Sequence, residues 1–164
     1  MAANRANIGW YLDNQIGGED DRFTGRIYEK KIEISSAELL ALAASPKELV
    51  AAPGSGKLLE FVSAVLFYHS AATDYTVQAD ENIAIRYTDG SGTIVSLTVE
   101  SDDFLKEAAD DEIRIVHPIA DFQNTDVLAS VNKSLVLDNV GTGEWDDGTG
   151  TITAKITYLI HDLN

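Results

Sequence analysis

The residues that first invite a chemical reading are Leu49 to Phe67, LVAAPGSGKLLEFVSAVLF, where two glycines and a lysine precede an apolar run. A phosphate-binding loop needs a glycine, four residues, then Gly-Lys and a Ser or Thr. Its backbone N–H groups wrap the phosphates, the lysine reaches them and the hydroxyl holds magnesium. Here Ala51 stands where the first glycine belongs, and Leu58 where the magnesium ligand belongs. The stretch reads instead as a turn, in which Pro53 fixes φ, Gly54 and Gly56 accept positive φ, and Lys57 faces water.

Other reactive types are present without the spacing that chemistry requires. His69, His117 and His161 are scattered, and none sits in a metal pattern such as HExxH. Gly54-Ser55-Gly56 lacks the flanking positions of a nucleophile elbow. Acids cluster at Asp20-Asp21, Asp102-Asp103, Asp110-Asp111-Glu112 and Asp146-Asp147. Glycosidase chemistry needs two carboxyls facing each other across a cleft, and adjacent acids in loops are ordinarily solvated. The loop DNVGTGEWDDG offers Asp138, Asn139, Glu144, Asp146 and Asp147 as hard oxygen ligands, so calcium is the one metal worth weighing. It lacks the alternating spacing of a calcium loop. Asn132-Lys133-Ser134 fits a glycosylation sequon, which has no use without secretion. No catalytic, cofactor-binding or metal-ligating residue is expected, and no cofactor.

The elements that must hold these residues are mostly strands. KIEIS alternates and runs into Ser35-Ser36-Ala37-Glu38, a capping box for a helix near Ala37 to Ala43 that Ser45-Pro46 ends. Leu58 to Tyr68 is rich in branched and aromatic residues, which predicts a strand buried on both faces. YTVQA and IAIRYT lead to Asp89-Gly90-Ser91-Gly92 and then TIVSLTV, the clearest hairpin in the chain. SDDFLKEAADDE reads as a short acidic helix or turn, and IRIVHPI as the next strand. SLVLDN and TITAKITYLI form an expected final pair across the glycine-rich linker. Short strands with turns every ten or so residues predict a mostly-β chain. The expected architecture is an antiparallel β-sandwich, jelly-roll-like, with one or two short helices, over residues 31–164.

Residues 1–30 form an expected extended N-terminal arm. It is polar and carries Gly17-Gly18 and GEDD, yet it places Trp10, Tyr11, Phe23 and Tyr28 along its length. Aromatics spaced along a polar arm suit a segment that lies on a partner, because Trp and Tyr bury large area at contacts. Those four are candidate partner-binding residues, and so is Trp145, expected to be exposed or half-buried at a loop tip, with packing against its own domain as the alternative.

Bulk properties restrict the partners. The 164 residues suffice for one domain with its own core, and with no cysteine there is no disulfide framework, thiolate metal site or thiol nucleophile. Twelve Lys and Arg stand against 27 Asp and Glu, a formal net charge of −15, which repels phosphate backbones and argues against nucleic acid. The longest apolar stretch, Phe61 to Tyr68, is too short to span a bilayer, and the N-terminus lacks the apolar core of a secretion signal. The expectation is a soluble, acidic protein made in a cytosol.

The runs EISSAELLALAASPKELVAAPGSGKLLEFVSAVLF, RYTDGSGT and VNKSLVL, spread over Ile32 to Leu163, resemble small β-rich virion proteins of tailed bacteriophages. The resemblance implies a capsid cement or decoration protein. Such a protein is made in the host cytoplasm, sits on the outer surface of the head as a homotrimer, and bridges major capsid protein subunits. It implies partners in the chain itself and the major capsid protein, and no enzyme activity. The alternative from the residues alone is a β-sandwich binding module, carbohydrate- or receptor-binding and tail-associated, using Trp10 or Trp145.

Overall fold

Residues 26–77, 81–88, 91–106, 110–119, 129–141 and 143–164 are described by the computed structural model. Branched residues alternating with charged ones make Ile27–Ile34 the first strand, β1. Ser35 then caps helix α1, Ser36–Leu40: its hydroxyl accepts from the Glu38 N–H, and the Glu38 carboxylate accepts from the Ser35 N–H at 2.9 Å. β2, Lys47–Val50, follows, and the PGSG turn delivers the chain into β3, Lys57–His69. Gly54 and Gly56 take φ of 104° and 72°, and the Lys57 N–H donates to the Gly54 carbonyl at 3.2 Å, as the turn reading requires. The remaining elements are β4 (Tyr75–Thr76), β5 (Asn82–Tyr87), β6 (Val99–Glu100), α2 (Ser101–Leu105), β7 (Glu112–Val116), β8 (Leu135–Asn139), β9 (Asp146–Asp147) and β10 (Thr151–Asp162).

Sheet A runs β1-β10-β3-β7 and sheet B runs β2-β8-β5-β6, with β4-β9 as a separate short pair. All strand pairs are antiparallel and they nest: β1 with β10, β2 with β8, β3 with β7, β5 with β6. Nested pairs of this kind are one long hairpin rolled into two facing sheets, a jelly-roll sandwich. The core lies between the sheets, where Leu66, Ile152 and Ile156 of sheet A meet Ile85, Leu135 and Leu137 of sheet B, each 0% exposed.

Three details differ from the sequence expectations. β8 and β10 do not pair; they lie in opposite sheets, and the Gly-rich linker with β9 carries the chain between them. β3 is buried on one face only. Leu59, Phe61, Ala64, Leu66 and Tyr68 enter the core, whereas Val62, Val65 and Phe67 lie half-buried on the other side. A register shift opposite Thr157/Tyr158 re-phases the strand, which is why its apolar run looks continuous. Finally, Ile27–Lys30, assigned to the arm by composition, are the first half of β1, so the sandwich starts at Ile27.

Candidate interaction surface

Sheet A turns its outer face away from the core, and the strand registers fix what that face presents. Ile113 pairs with Phe67 and Ile115 with Val65 across β7 and β3. Ile113 is 52% and Ile115 63% exposed, while Phe67 and Val65 are half-buried beside them. These four side chains form one apolar band at the β7 edge of the sheet. The inverse arrangement holds on β7's inward side. There Arg114 pairs with Glu112 at 2.5 Å, and its guanidinium lies 5.2 Å from the centre of the Phe104 ring. An edge strand that turns charges inward and isoleucines outward is protected against simple edge pairing but still offers apolar surface.

The band continues round the sandwich edge. A cleft of about 320 Å³ opens between β6 and β7, with Leu97, Val99, Glu100, Asp103, Arg114 and Ile115 in its lining. Leu97 is 54% exposed at its rim. The two sheets are tied at this edge by the Leu97 N–H donating to the His117 carbonyl at 2.9 Å and the Ile119 N–H to the Val95 carbonyl at 3.1 Å.

The opposite flank of the band is polar. Phe67 pairs with Thr153 and Val65 with Lys155 on β10; Thr153 in turn faces Glu33, and Lys155 faces Lys31, on β1. Thr153 donates to Glu33 at 2.6 Å and stands 3.0 Å from the His69 ring Nε2, whose Nδ1 lies 3.7 Å from Asp111. Asp111, His69 and Thr153 thus align in the order of a hydrolase triad. The hydroxyl proton, however, goes to Glu33, so Nε2 must donate rather than accept and Thr153 is not activated. The group is a surface hydrogen-bond chain. Its Glu33 carboxyl is held below the usual range by Lys31 at 2.7 Å and by Thr153.

Of the candidate partner-binding residues, Trp10, Tyr11 and Phe23 lie outside the described residues. Tyr28 stands in β1, half-buried, with its ring stacked on Tyr158 at 5.5 Å. Trp145 is 2% exposed and packs edge-on against Tyr75 at 6.2 Å, so its loop does not display it. The acidic loop is committed elsewhere as well. Asp138 lies buried 3.1 Å from Arg86, with burial pushing its carboxyl above the usual range and Arg86 opposing that shift. Asn139 holds its own turn through the Gly141 N–H and the Gly143 carbonyl. Among the described residues no group of three His, Asp or Glu side chains converges as a metal site would, and no helix is long and apolar enough to cross a membrane. The surface formed by Ile113, Ile115 and Leu97 is the feature that sequence reasoning missed. The alternation in EIRIV shows two faces, but the default that charges face water assigns them the wrong way round.

No family model matches this chain, and no curated protein matches it. A solved structure similar to it is the semi-empty virus-like particle of the giant freshwater prawn Macrobrachium rosenbergii nodavirus. Identity is 9% and the TM-score 0.27, over 85% of this chain and 94% of that one.

Proposed function

We propose that this chain is a structural virion protein without catalytic activity, a cement or decoration protein on the outer surface of a phage head. In this role it bridges major capsid subunits as a homotrimer, with the arm that carries Trp10, Tyr11 and Phe23 lying on a neighbour. The observation that carries the proposal is the exposed apolar band of Ile113, Ile115 and Leu97 on an otherwise acidic jelly-roll sandwich. Exposed apolar surface of this kind marks an interaction site. The fold is used by capsid domains and also by lectins and cupins, so it permits the role without selecting it. The carbohydrate-binding alternative loses one of its two stacking residues with the burial of Trp145.

The test is to add the purified protein to undecorated tailed-phage heads and follow the temperature at which the heads open. A saturable rise in that temperature is expected. Heads that open at an unchanged temperature with the protein in excess, together with a fluorescence response to glycans, overturn the proposal in favour of a binding module.

A further inference from the structure

Resting on the structural reading above, we infer that the cleft between β6 and β7 receives residues 5–12, RANIGWYL, of a neighbouring copy of this chain. The cleft is a fork between two strands. Residues 95–97 and 117–119 run side by side, joined by the Leu97 N–H to the His117 carbonyl and the Ile119 N–H to the Val95 carbonyl. From there the two chains part. Val99 and Glu100 turn to β5, where they face Ile83 and Asn82, while Ile115 and Val116 turn to β3, where they face Val65 and Ala64. β6 and β7 are the edge strands of their sheets, so the sides that look into the fork have no strand partner among the described residues. Free strand edges are where an extended segment adds. The opening of about 320 Å³ is at the small end for a ligand site, which suits a few side chains of an extended chain rather than a folded element.

The fork is apolar with an acidic rim. Leu97 and Ile115 stand 54% and 63% exposed at its mouth. The bases at this edge, Lys106 and Arg114, are already paired with Asp102 and Glu112. The exposed carboxylates of Glu100 and Asp103 take part in no ion pair among the described residues. The complementary occupant is an extended apolar segment that carries a cation and no acid. RANIGWYL is such a segment: Ile8, Trp10, Tyr11 and Leu12 are apolar or aromatic, Arg5 is its one charge, and the first carboxylate of the chain is Asp13. The direction of β1 decides which copy supplies it. β1 starts at Ile27, in the row of Leu159 and Glu60, and travels toward the row of Lys31, Lys155, Val65 and Ile115. Residues ahead of Ile27 therefore join sheet A from the end away from the fork. The two rows are about 13 Å apart along the strands, and β7 lies three strand spacings, about 14 Å, across the sheet. Trp10 is 17 residues ahead of Ile27, a reach of up to about 55 Å. That reach serves a neighbour directly, whereas the copy's own fork requires the chain to double back over the sheet. An arm entering a fork joins two different surfaces, so the contact is head-to-tail and can close into a ring, as the trimer of the functional reading requires.

The experiment is a complementation measured on the full chain by light scattering across a wide concentration range. The wild type should show a multiple of 17.8 kDa that dissociates on dilution. Trp10→Ala, with a damaged arm and an intact fork, should stay at 17.8 kDa, and so should Leu97→Asp, with an intact arm and a damaged fork. Mixed in equal amounts, the two should form a species of twice that mass, because one sound arm then meets one sound fork. Arg5→Glu and Asp103→Arg should each weaken wild-type association by up to about fivefold, and together they should recover most of the loss. Circular dichroism checks that each variant is folded, and the charge exchange tests the contact without Leu97→Asp. A wild type of 17.8 kDa at every concentration overturns the inference, as it would if each arm filled its own fork. So do an oligomer that survives both single variants, a mixture of folded variants that stays monomeric, and a charge exchange no better than its single changes. A monomer that still raises the opening temperature of heads fails this inference alone, whereas an arm-exchanged oligomer that leaves heads unchanged fails the virion reading alone.

Discussion

Replacing Arg86 by Leu removes one half of the buried pair with Asp138, and its effect can be worked from the geometry. The two groups are 3.1 Å apart, with side chains 15% and 4% exposed. Losing one partner leaves a carboxylate uncompensated in a site that already pushes its pKa up, a cost of about 3–5 kcal/mol. For a chain of this size each kcal/mol lowers the melting temperature by about 2–4 °C, so a drop of roughly 6–20 °C is expected by circular dichroism. The cost should also depend on pH. Without the guanidinium the folded-state pKa of Asp138 rises further above its unfolded value. A raised carboxyl contributes its full stability below the unfolded value and loses it as pH rises through the folded value. The gap between variant and wild type should therefore widen from acid to neutral pH. Replacing both residues by Leu removes the charge problem and should recover most of the loss. A single variant that costs under about 1 kcal/mol at neutral pH, or a double variant as damaged as the single, would refute the reasoning.

Four further outcomes follow from local features. Ser35→Ala should cost about 1 kcal/mol in denaturant unfolding by removing the capping box of α1. The Glu38 carboxyl, bonded to Lys47 and to Ser35, is lowered to about 2; its contribution is present above the unfolded value and lost as pH falls toward 2, so acid unfolding of Glu38→Gln should be shallower there. In Trp10→Phe, the remaining Trp145 should resist acrylamide quenching in the folded chain, and quenching equal to that of the unfolded chain contradicts its burial. Gly148→Ala should destabilise by about 2–4 kcal/mol, since φ there is 81° and an added Cβ overlaps the Tyr75 ring.

Much of the fold was legible because its signals are local. The Ser35–Glu38 box, the PGSG turn and the alternation of β5 and β10 each depend on a few neighbouring residues, and each forms where the pattern places it, whereas β1 begins earlier, at Ile27. The strand class and the sandwich follow from those elements. Partnership between strands did not follow, because pairing is set by distant parts of the chain: β8 resembles a hairpin mate of β10 in sequence but finds β2 and β5 instead. Burial of polar and aromatic residues was equally illegible. Trp145 sits in a loop full of acids and glycines, and only the opposing β4 with Tyr75 reveals that the loop folds inward. Asp138 looks like a calcium ligand until Arg86, far off in sequence, is seen beside it. The apolar band was hidden for the opposite reason, since nothing in EIRIV says which of its two faces the sandwich will claim.

The most direct test of the account is co-sedimentation of the wild type and Ile115→Asp, side by side, with undecorated phage heads. The account predicts that the wild type pellets with heads to a saturable stoichiometry and that the variant, folded by circular dichroism, stays largely in the supernatant. Equal binding of the two proteins, or wild-type protein that never pellets, would contradict the claim that this face of sheet A is where the protein assembles.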